Sequence, residues 1–445
     1  MQLKAMAPPL GGAVPQSRVP NARLRLMAAS CALLSAGAVR SPEARAAAAD
    51  SGIADDWSVN SALAYYHEDG RIRAIEPVVD VAKIFANGQS ISANFTYDAL
   101  AGASPNGALP SRLPQTFGSA SAAAAKSYTT APGQLPVDPN YHDDRVAIGG
   151  NWTIPATRTD QFTVGAKLSD ERDFFSVTLN ASIAHDFNDK NTTLSFGINN
   201  EYDRLQPIGG TPLAGSNIAF GSKSGAKQSK DGVGLLLGVT QLMSRTWLSE
   251  FNISIDRFHG YLNDPYKITS VIDASGNTTQ YLYESRPQQR TRKSAYWENR
   301  VTWNPQVSTA LALRYMSDNW GIRSETAQLH LRRQLSDRER YIEPNIRWYH
   351  QTAANFYTPF ILDTAVLPSL EASDTRLAEF RALSYGLKYL QKLPGVGSHA
   401  ESEFSVRAEY YQQTLIERTP VPASLQGIDL YPGVKAILVQ VGWRF

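Results

Sequence analysis

The feature that most constrains the fold is a strict alternation of side chains at the C-terminal end of the chain. Successive side chains of a strand point to opposite faces, so a period of two separates the residues of 434–445 into two sets. One face carries Lys435, Ile437, Val439, Val441, Trp443 and Phe445, and the other carries Ala436, Leu438, Gln440, Gly442 and Arg444. The first face suits lipid. This segment is therefore predicted to be a membrane-spanning strand.

The same alternation recurs along the chain and predicts about sixteen strands. Their predicted spans are 55–67, 71–85, 89–98, 143–154, 160–169, 174–187, 191–203, 230–243, 246–259, 292–304, 307–317, 321–335, 339–352, 376–392, 399–414 and 434–445. Outer-membrane barrels of a single bacterial chain have an even number of antiparallel strands. The pattern therefore predicts an all-β fold, a transmembrane antiparallel up-and-down β-barrel.

The lengths of the connections support this architecture independently. Every second connection is short: 86–88, 155–159, 188–190, 244–245, 305–306, 336–338 and 393–398. The long ones, 99–142, 204–229, 260–291, 353–375 and 415–433, all fall at the other end. Short periplasmic turns and long extracellular loops are typical of outer-membrane barrels, whereas soluble β-folds have no reason to sort loops in this way.

Composition excludes two other classes of protein. Hydrophobic residues make up only 42%, and no apolar run long enough for a membrane helix follows the N-terminal segment. A barrel strand needs apolar residues only at alternate positions, and the 20 Tyr, 16 Phe and 8 Trp fit one. The net charge of +2 and the scattered Lys and Arg argue against a nucleic-acid partner.

The N-terminal segment is predicted to be a cleaved signal peptide, residues 1–49, followed by the barrel, residues 50–445. Arg18, Arg23 and Arg25 precede a small apolar stretch and then an Ala-rich cleavage region. The only cysteine, Cys31, would leave with this peptide. A lipid-anchoring cysteine is the alternative, but Ala28 stands where such a site prefers Leu. The mature chain is expected in the bacterial outer membrane, among its lipids.

The terminal strand also predicts how the barrel reaches that membrane. Trp443 and Phe445 are the expected assembly signal, and the barrel-assembly machinery is the expected partner.

The faces opposite the lipid stripes carry charges of both signs. The candidate lumen-lining residues are Glu250, Asp256, Glu298, Arg300, Arg314, Arg332, Glu343, Arg347, Glu403, Arg407 and Glu409. One interpretation is a water-filled wall of mutually neutralising ion pairs, and the alternative is a ladder that selects solutes by charge. A barrel of this size is wide enough for an aqueous channel unless loops fold into it. The main hypothesis is a pore or transporter for small polar solutes whose specificity is set by the extracellular loops.

The predicted extracellular rim carries two similar clusters, His67-Glu68-Asp69 and His142-Asp143-Asp144. Such groups could be an ordinary polar rim, could bind a divalent metal, or could activate water for hydrolysis. No resident metal, cofactor or catalytic set is predicted, because motifs for phosphate loops and acyl nucleophiles are missing from the sequence. A scaffold or receptor that presents its loops to a partner is the alternative to the pore.

Several segments resemble an uncharacterised family of predicted bacterial outer-membrane β-barrel proteins, defined by a domain of unknown function. They are residues 65–71 (YYHEDGR), 77–80 (PVVD), 98–107 (DALAGASPNG), 264–267 (DPYK) and 281–287 (YLYESRP). The resemblance covers essentially the whole mature chain. It implies an outer-membrane barrel, but it implies no activity, substrate or catalytic residue.

Overall fold

The computed structural model describes residues 56–119, 127–219, 223–335, 339–394 and 401–445, and their main element is a closed barrel of sixteen strands. In chain order the barrel strands β1–β16 are Asp56–Glu68, Ile72–Ile84, Ser90–Pro105, Val137–Pro155, Asp160–Glu171, Phe174–Phe187, Thr192–Leu205, Gln228–Ser244, Trp247–Gly260, Gln289–Asn304, Val307–Asp318, Arg323–Gln334, Arg340–Gln351, Phe380–Pro394, Glu401–Leu415 and Val434–Arg444. Each strand pairs antiparallel with the next. The predicted fold class and strand number are confirmed, whereas the predicted signal peptide lies outside the described residues.

The first and last strands close the barrel. β1 pairs with β16, with Asn60 opposite Arg444 and Glu68 opposite Ala436. Phe445 extends this pairing, because its N–H donates to the Val59 carbonyl at 3.0 Å and its carbonyl accepts from the Val59 N–H at 2.7 Å. Closure leaves no strand edge unpaired, which a lipid environment requires.

The outer surface of the barrel is an apolar belt. On β9 the side chains of Phe251, Ile253 and Ile255 are exposed, while Glu250 and Asp256 on the opposite face are buried. Most of the exposed tryptophans lie near the end where β1 begins and β16 ends, namely Trp57, Trp152, Trp247, Trp303 and Trp443. An aliphatic belt with an aromatic girdle is the lipid-facing surface of an outer-membrane barrel. The chain is therefore a β-barrel of the bacterial outer membrane, as the sequence predicts.

Connection lengths differ between the two ends of the barrel. At the end where β1 begins and β16 ends, the fully described turns are 85–89, 156–159, 188–191, 245–246 and 305–306. Turn 188–191 uses Asn188, Asp189 and Lys190 at φ of 51°, 52° and 67°, a left-handed conformation that Asn and Asp tolerate better than most residues. At the other end lie the loops 106–136, 206–227, 261–288, 352–379 and 416–433. The predicted sorting of short turns and long loops is thus confirmed for the described residues, whereas the predicted turn 336–338 and most of the predicted turn 393–398 lie outside them.

Three predicted strand boundaries are corrected by more than three residues. β3 continues to Pro105, past a register shift between Gly102 and Ser104, and β4 begins at Val137. The first long loop is therefore shorter than predicted. Arg376 does not open β14, because its side chain pairs with Asp374 in the loop and the strand begins at Phe380. Among the described residues there is one short 3-10 helix, Ala423–Leu425, and none forms a helix long and apolar enough to cross a membrane.

Candidate functional site

The five long loops pack against one another, and we call their described parts the cap. Its centre is a three-stranded sheet in which Ile268–Ile272 pairs antiparallel with Thr278–Tyr283 and parallel with Phe360–Leu362. An apolar cluster drawn from four loops packs beside it: Leu109, Ile272, Phe360, Leu425 and Leu430. The fifth loop, 206–227, joins through its Ile218 N–H, which donates to the Tyr281 carbonyl at 3.0 Å.

The contacts within the cap cross the mouth of the barrel. The Leu109 N–H donates to Ser270 Oγ at 3.0 Å, and the Ile268 N–H donates to the Asn106 carbonyl at 2.9 Å. The loops that carry these residues, 106–136 and 261–288, leave the barrel on opposite sides of the block of strands β4–β9. Two loops that are separated by six strands around the barrel can contact each other only by extending over its opening. The cap therefore lies across the extracellular mouth.

Charged side chains tie loop 261–288 to loop 352–379. The network consists of Asp264, Lys267, Glu284, Arg286, Asp374 and Arg376. Arg286 Nη2 lies 2.8 Å from Glu284 Oε2 and 2.8 Å from Asp374 Oδ2. Arg376 Nη2 donates to Asp264 Oδ2 at 2.8 Å, and its Nε donates to Asp374 Oδ1 at 2.8 Å.

The electrostatics of this network favour the ionised form of Asp374. Burial alone would raise the pKa of Asp374, but Arg376 and Arg286 outweigh burial and hold that pKa far below its usual range. The network contains three acids and three bases, so opposite charges lie beside one another throughout it. Removing one member would leave an opposite charge uncompensated in a site shielded from water, which is the costly way to break a buried ion pair.

A further acid, Glu371, lies in the cap beside this network. Its main chain pairs with Ser285, with N–H to carbonyl distances of 2.9 and 2.8 Å. Burial raises the pKa of its carboxyl to about 7, and the Thr269 hydroxyl and the Arg286 charge offset part of that rise. Glu371 is thus a buried group that changes charge near neutral pH.

The eleven predicted lumen residues lie on inward faces of the barrel strands. On β9 and β10, Glu250, Asp256, Glu298 and Arg300 alternate with outward apolar side chains. The other inward positions are Arg314 on β11, Arg332 on β12, Glu343 and Arg347 on β13, and Glu403, Arg407 and Glu409 on β15. The lumen wall is accordingly polar and charged, as a water-filled channel requires.

Most of these charges are paired in the way that a neutralised wall would require. Arg300 bonds Glu298 and Arg407 bonds Glu409, in each case two residues along the same strand. Across strands, Arg332 Nε lies 2.8 Å from Glu343 Oε2, and Arg444 Nη1 lies 3.6 Å from Glu403 Oε2. Arg314 and Arg347 differ, because neither has a carboxylate partner within the part of the chain that the structure describes.

The charges are also divided between two halves of the wall. Inward acids dominate on β2–β9: Glu76, Asp80, Asp98, Glu171, Glu201, Asp203, Glu250 and Asp256. Inward bases dominate on β10–β15: Arg290, Arg292, Arg300, Arg314, Arg332, Arg347, Lys388, Lys392 and Arg407. A solute in the lumen would therefore experience an electric field directed across the channel.

The rim residues do not share a single face. His67 is exposed on the outer surface and stacks on Tyr65 with ring centroids 6.5 Å apart, whereas the Glu68 carboxylate is buried and accepts from the Tyr66 hydroxyl at 2.7 Å. Asp69 is exposed at the turn that follows. The first rim cluster thus points in opposite directions.

The second rim cluster lies on β4, where Asp144 is exposed and accepts from the Tyr97 hydroxyl at 3.0 Å. Asp143 is grouped instead with Glu171 and Asp173, whose carboxylate oxygens lie within 4.8 Å of one another. His142, opposite Ala101 on β3, is not part of that group. The Tyr266 hydroxyl donates to Asp173, which ties this acidic group to the cap.

Sequence reasoning did not identify the cap network or the inward Arg292 and Lys388. A signal for the network was nevertheless present: Asp264, Lys267, Glu284 and Arg286 all lie in segments that carry the family resemblance. Their pairing with loop 352–379 depends on contacts between residues far apart in the chain, which local patterns do not encode.

Comparison with solved structures gives barrels of low similarity. The outer membrane protein opdK from Pseudomonas aeruginosa matches with 8% identity and a TM-score of 0.40, covering 88% of this chain and 98% of its own. A Pseudomonas aeruginosa FadL homologue matches with 10% identity and a TM-score of 0.38, covering 88% and 89%. The siderophore receptor PirA from Acinetobacter baumannii matches with 10% identity and a TM-score of 0.40, covering 87% and 60%.

A search of the curated proteins found no match to this chain. A family model does match, and it spans residues 23–445. The chain belongs to the family described as Protein of unknown function (DUF3570).

Proposed function

We propose that this protein is a gated pore for small polar solutes, with the cap as its gate. The observation that carries this proposal is the combination of a charged lumen with a cap of interlocked loops across its extracellular mouth. Sixteen strands enclose an interior roughly 30 Å across between backbones, given the usual strand spacing and tilt. Such an interior admits water and small solutes wherever loops do not fill it.

The cap has the properties expected of a gate. It is held by a small sheet, an apolar cluster and ionic contacts between loops, and not by the barrel ladder, so it can loosen without opening the barrel. Its specificity toward solutes would come from the loops that frame any opening. The barrel-assembly machinery and the outer-membrane lipids remain the expected partners during assembly.

A scaffold or receptor is the second candidate, because one segment of the cap exposes apolar side chains. In loop 352–379, Val366 is 94% exposed, and Leu367 and Leu370 are also exposed. Exposed apolar residues grouped in one loop can mark a contact with a partner. A receptor of this kind would need no conducting lumen, so electrical measurements separate the two functions.

Conductance in planar bilayers tests the pore. Arg376→Gln leaves Asp264 and Asp374 short of a buried partner, a change that costs about 3–5 kcal/mol in comparable pairs, so the cap should open more often. We expect more frequent and larger open events than in the wild-type protein.

Arg418→Gln is the matched control for this experiment. Arg418 also belongs to a cap loop and pairs with Glu379, but its side chain is 76% exposed, so its loss should leave the current unchanged. Circular dichroism of both variants would verify the barrel. A folded Arg376→Gln barrel that carries no more current than Arg418→Gln would contradict the gate, and no current from any variant would contradict the pore.

A further inference from the structure

Three inward arginines lie together on the basic half of the lumen wall. Arg292 and Arg314 lie on neighbouring strands β10 and β11, and Arg347 lies on β13. Arg314 is opposite Thr326 on β12, and Arg347 is opposite Gln328, the next inward position on that same strand. Arg314 is close enough to both Arg347 and Arg292 to interact electrostatically with them.

The nearby carboxylates neutralise these arginines only in part, because Asp256 forms an ion pair with Arg292 while no carboxylate among the described residues pairs with Arg314 or Arg347. Arg314 lies over the Tyr296 ring, 5.5 Å from its centroid, and Arg347 Nε is buried without a hydrogen-bond partner. Arg292 Nη2 is 3.6 Å from Asp256 Oδ2, too far for a good hydrogen bond, and its Nε is also buried without a partner. Within the part of the chain that the structure describes, Arg300, Arg332 and Arg407 differ from these arginines, because each has a nearby glutamate.

Like charges held close together are unfavourable unless an anion joins them. Guanidinium groups offer paired N–H donors in a plane that matches the two oxygens of a carboxylate. The surroundings are aromatic: the ring of Tyr296 contacts Arg314, the ring of Phe258 lies 4.9 Å from Arg292, and Tyr349 packs on Phe380 at 5.4 Å. The hydroxyl of Tyr296 donates to Glu298 and that of Tyr349 to Gln351, so the rings are left to contact an apolar group.

We propose that Arg292, Arg314 and Arg347 form a lumen binding site for the carboxylate of small organic anions. The N–H donors that lack a protein partner bind the carboxylate of the solute, and the aromatic rings contact the rest of the solute. The site deepens the proposed function, since it names the class of solute that the pore would admit. It is a property of the wall, so its occupancy can be measured without any current.

Calorimetric titration of the purified barrel with benzoate tests the site, with uncharged benzamide as the comparison ligand. The titration is done with the native protein and with Arg376→Gln, in which the cap is loosened. We expect benzoate to bind and benzamide not to bind. Arg314→Gln and Arg347→Gln should each weaken benzoate binding by about tenfold or more, because each removes charge-assisted hydrogen bonds.

Arg323→Gln is the control, since Arg323 is exposed on the outer face of β12 and should not affect binding. Equal benzoate affinity in all variants, equal binding of benzamide, or binding of inorganic phosphate without benzoate would overturn the carboxylate site. If benzoate binds as expected while no variant conducts, the site stands and the pore fails. If the barrel conducts but benzoate does not bind, the pore stands and the carboxylate site fails.

Discussion

Glu371 links the cap to pH at the level of a single residue. Burial raises the pKa of its carboxyl from 4.5 to about 7, so the closed cap binds this proton more tightly than an opened loop does. Stability from such a group is fully present below pH of about 4.5 and is lost as the pH rises through about 7. The buried Glu284 acts in the same direction, because burial raises its pKa as well.

The cap should therefore loosen as the pH rises from about 5 to 8. Amide hydrogen exchange in segments 261–288 and 352–379 should become faster over this pH range. The increase should exceed the intrinsic increase with pH that is measured on the unfolded chain. Glu371→Gln should reduce the pH dependence and leave the part due to Glu284. Identical pH profiles for the wild-type protein and Glu371→Gln would show that this carboxyl does not titrate in the cap.

Alternation along the sequence is sufficient to assign individual residues to a face. It correctly places Glu250 and Asp256 inside and Phe251 outside, since a strand offers only two faces. It cannot say which inward arginine finds a glutamate. Arg332 on β12 pairs with Glu343 on the neighbouring strand β13. Arg347 lies on the same strand as Glu343 but pairs with no carboxylate among the described residues. That difference depends on strand register and stagger.

At the scale of elements, the strands were predictable and the cap was not. Strand ends follow from a local pattern, and errors are confined to places where the pattern continues beyond the membrane, as at Pro105 and Val137. The cap depends on pairs such as Gly107 with Ser373, where the Ser373 hydroxyl donates to the Gly107 carbonyl at 2.9 Å. No periodicity relates two loops so far apart in sequence.

The terminal strand permits a test of assembly. Deleting Phe445 removes both main-chain hydrogen bonds to Val59 at the seam between β1 and β16, and Trp443→Ala removes an aromatic residue of the girdle. We expect less folded barrel in outer-membrane fractions, measured as heat-modifiable migration on gels. Ile437→Leu, an outward and conservative change on the same strand, is the control. Normal assembly without Phe445 would contradict its role as a signal.

For the whole molecule, the arrangement is a rigid barrel with a separately stabilised cap at one end. The barrel is held by a continuous ladder of main-chain pairs around the ring, whereas the cap is held by a small sheet, an apolar cluster and a buried ionic network. In the proposed pore, this division would let the gate move while the wall keeps its charges in place. The lumen site and the gate are consequently independent parts of the proposed pore.

Cross-linking the cap tests the gate most directly. Leu109→Cys with Ser270→Cys joins loops 106–136 and 261–288 across the mouth, where the Leu109 N–H and Ser270 Oγ are 3.0 Å apart. In the Arg376→Gln background, the oxidised protein should carry little current and the reduced protein should carry the full current of that background. Single-cysteine variants should not respond to oxidation. Equal conductance of the oxidised and reduced double-cysteine protein would contradict the gate.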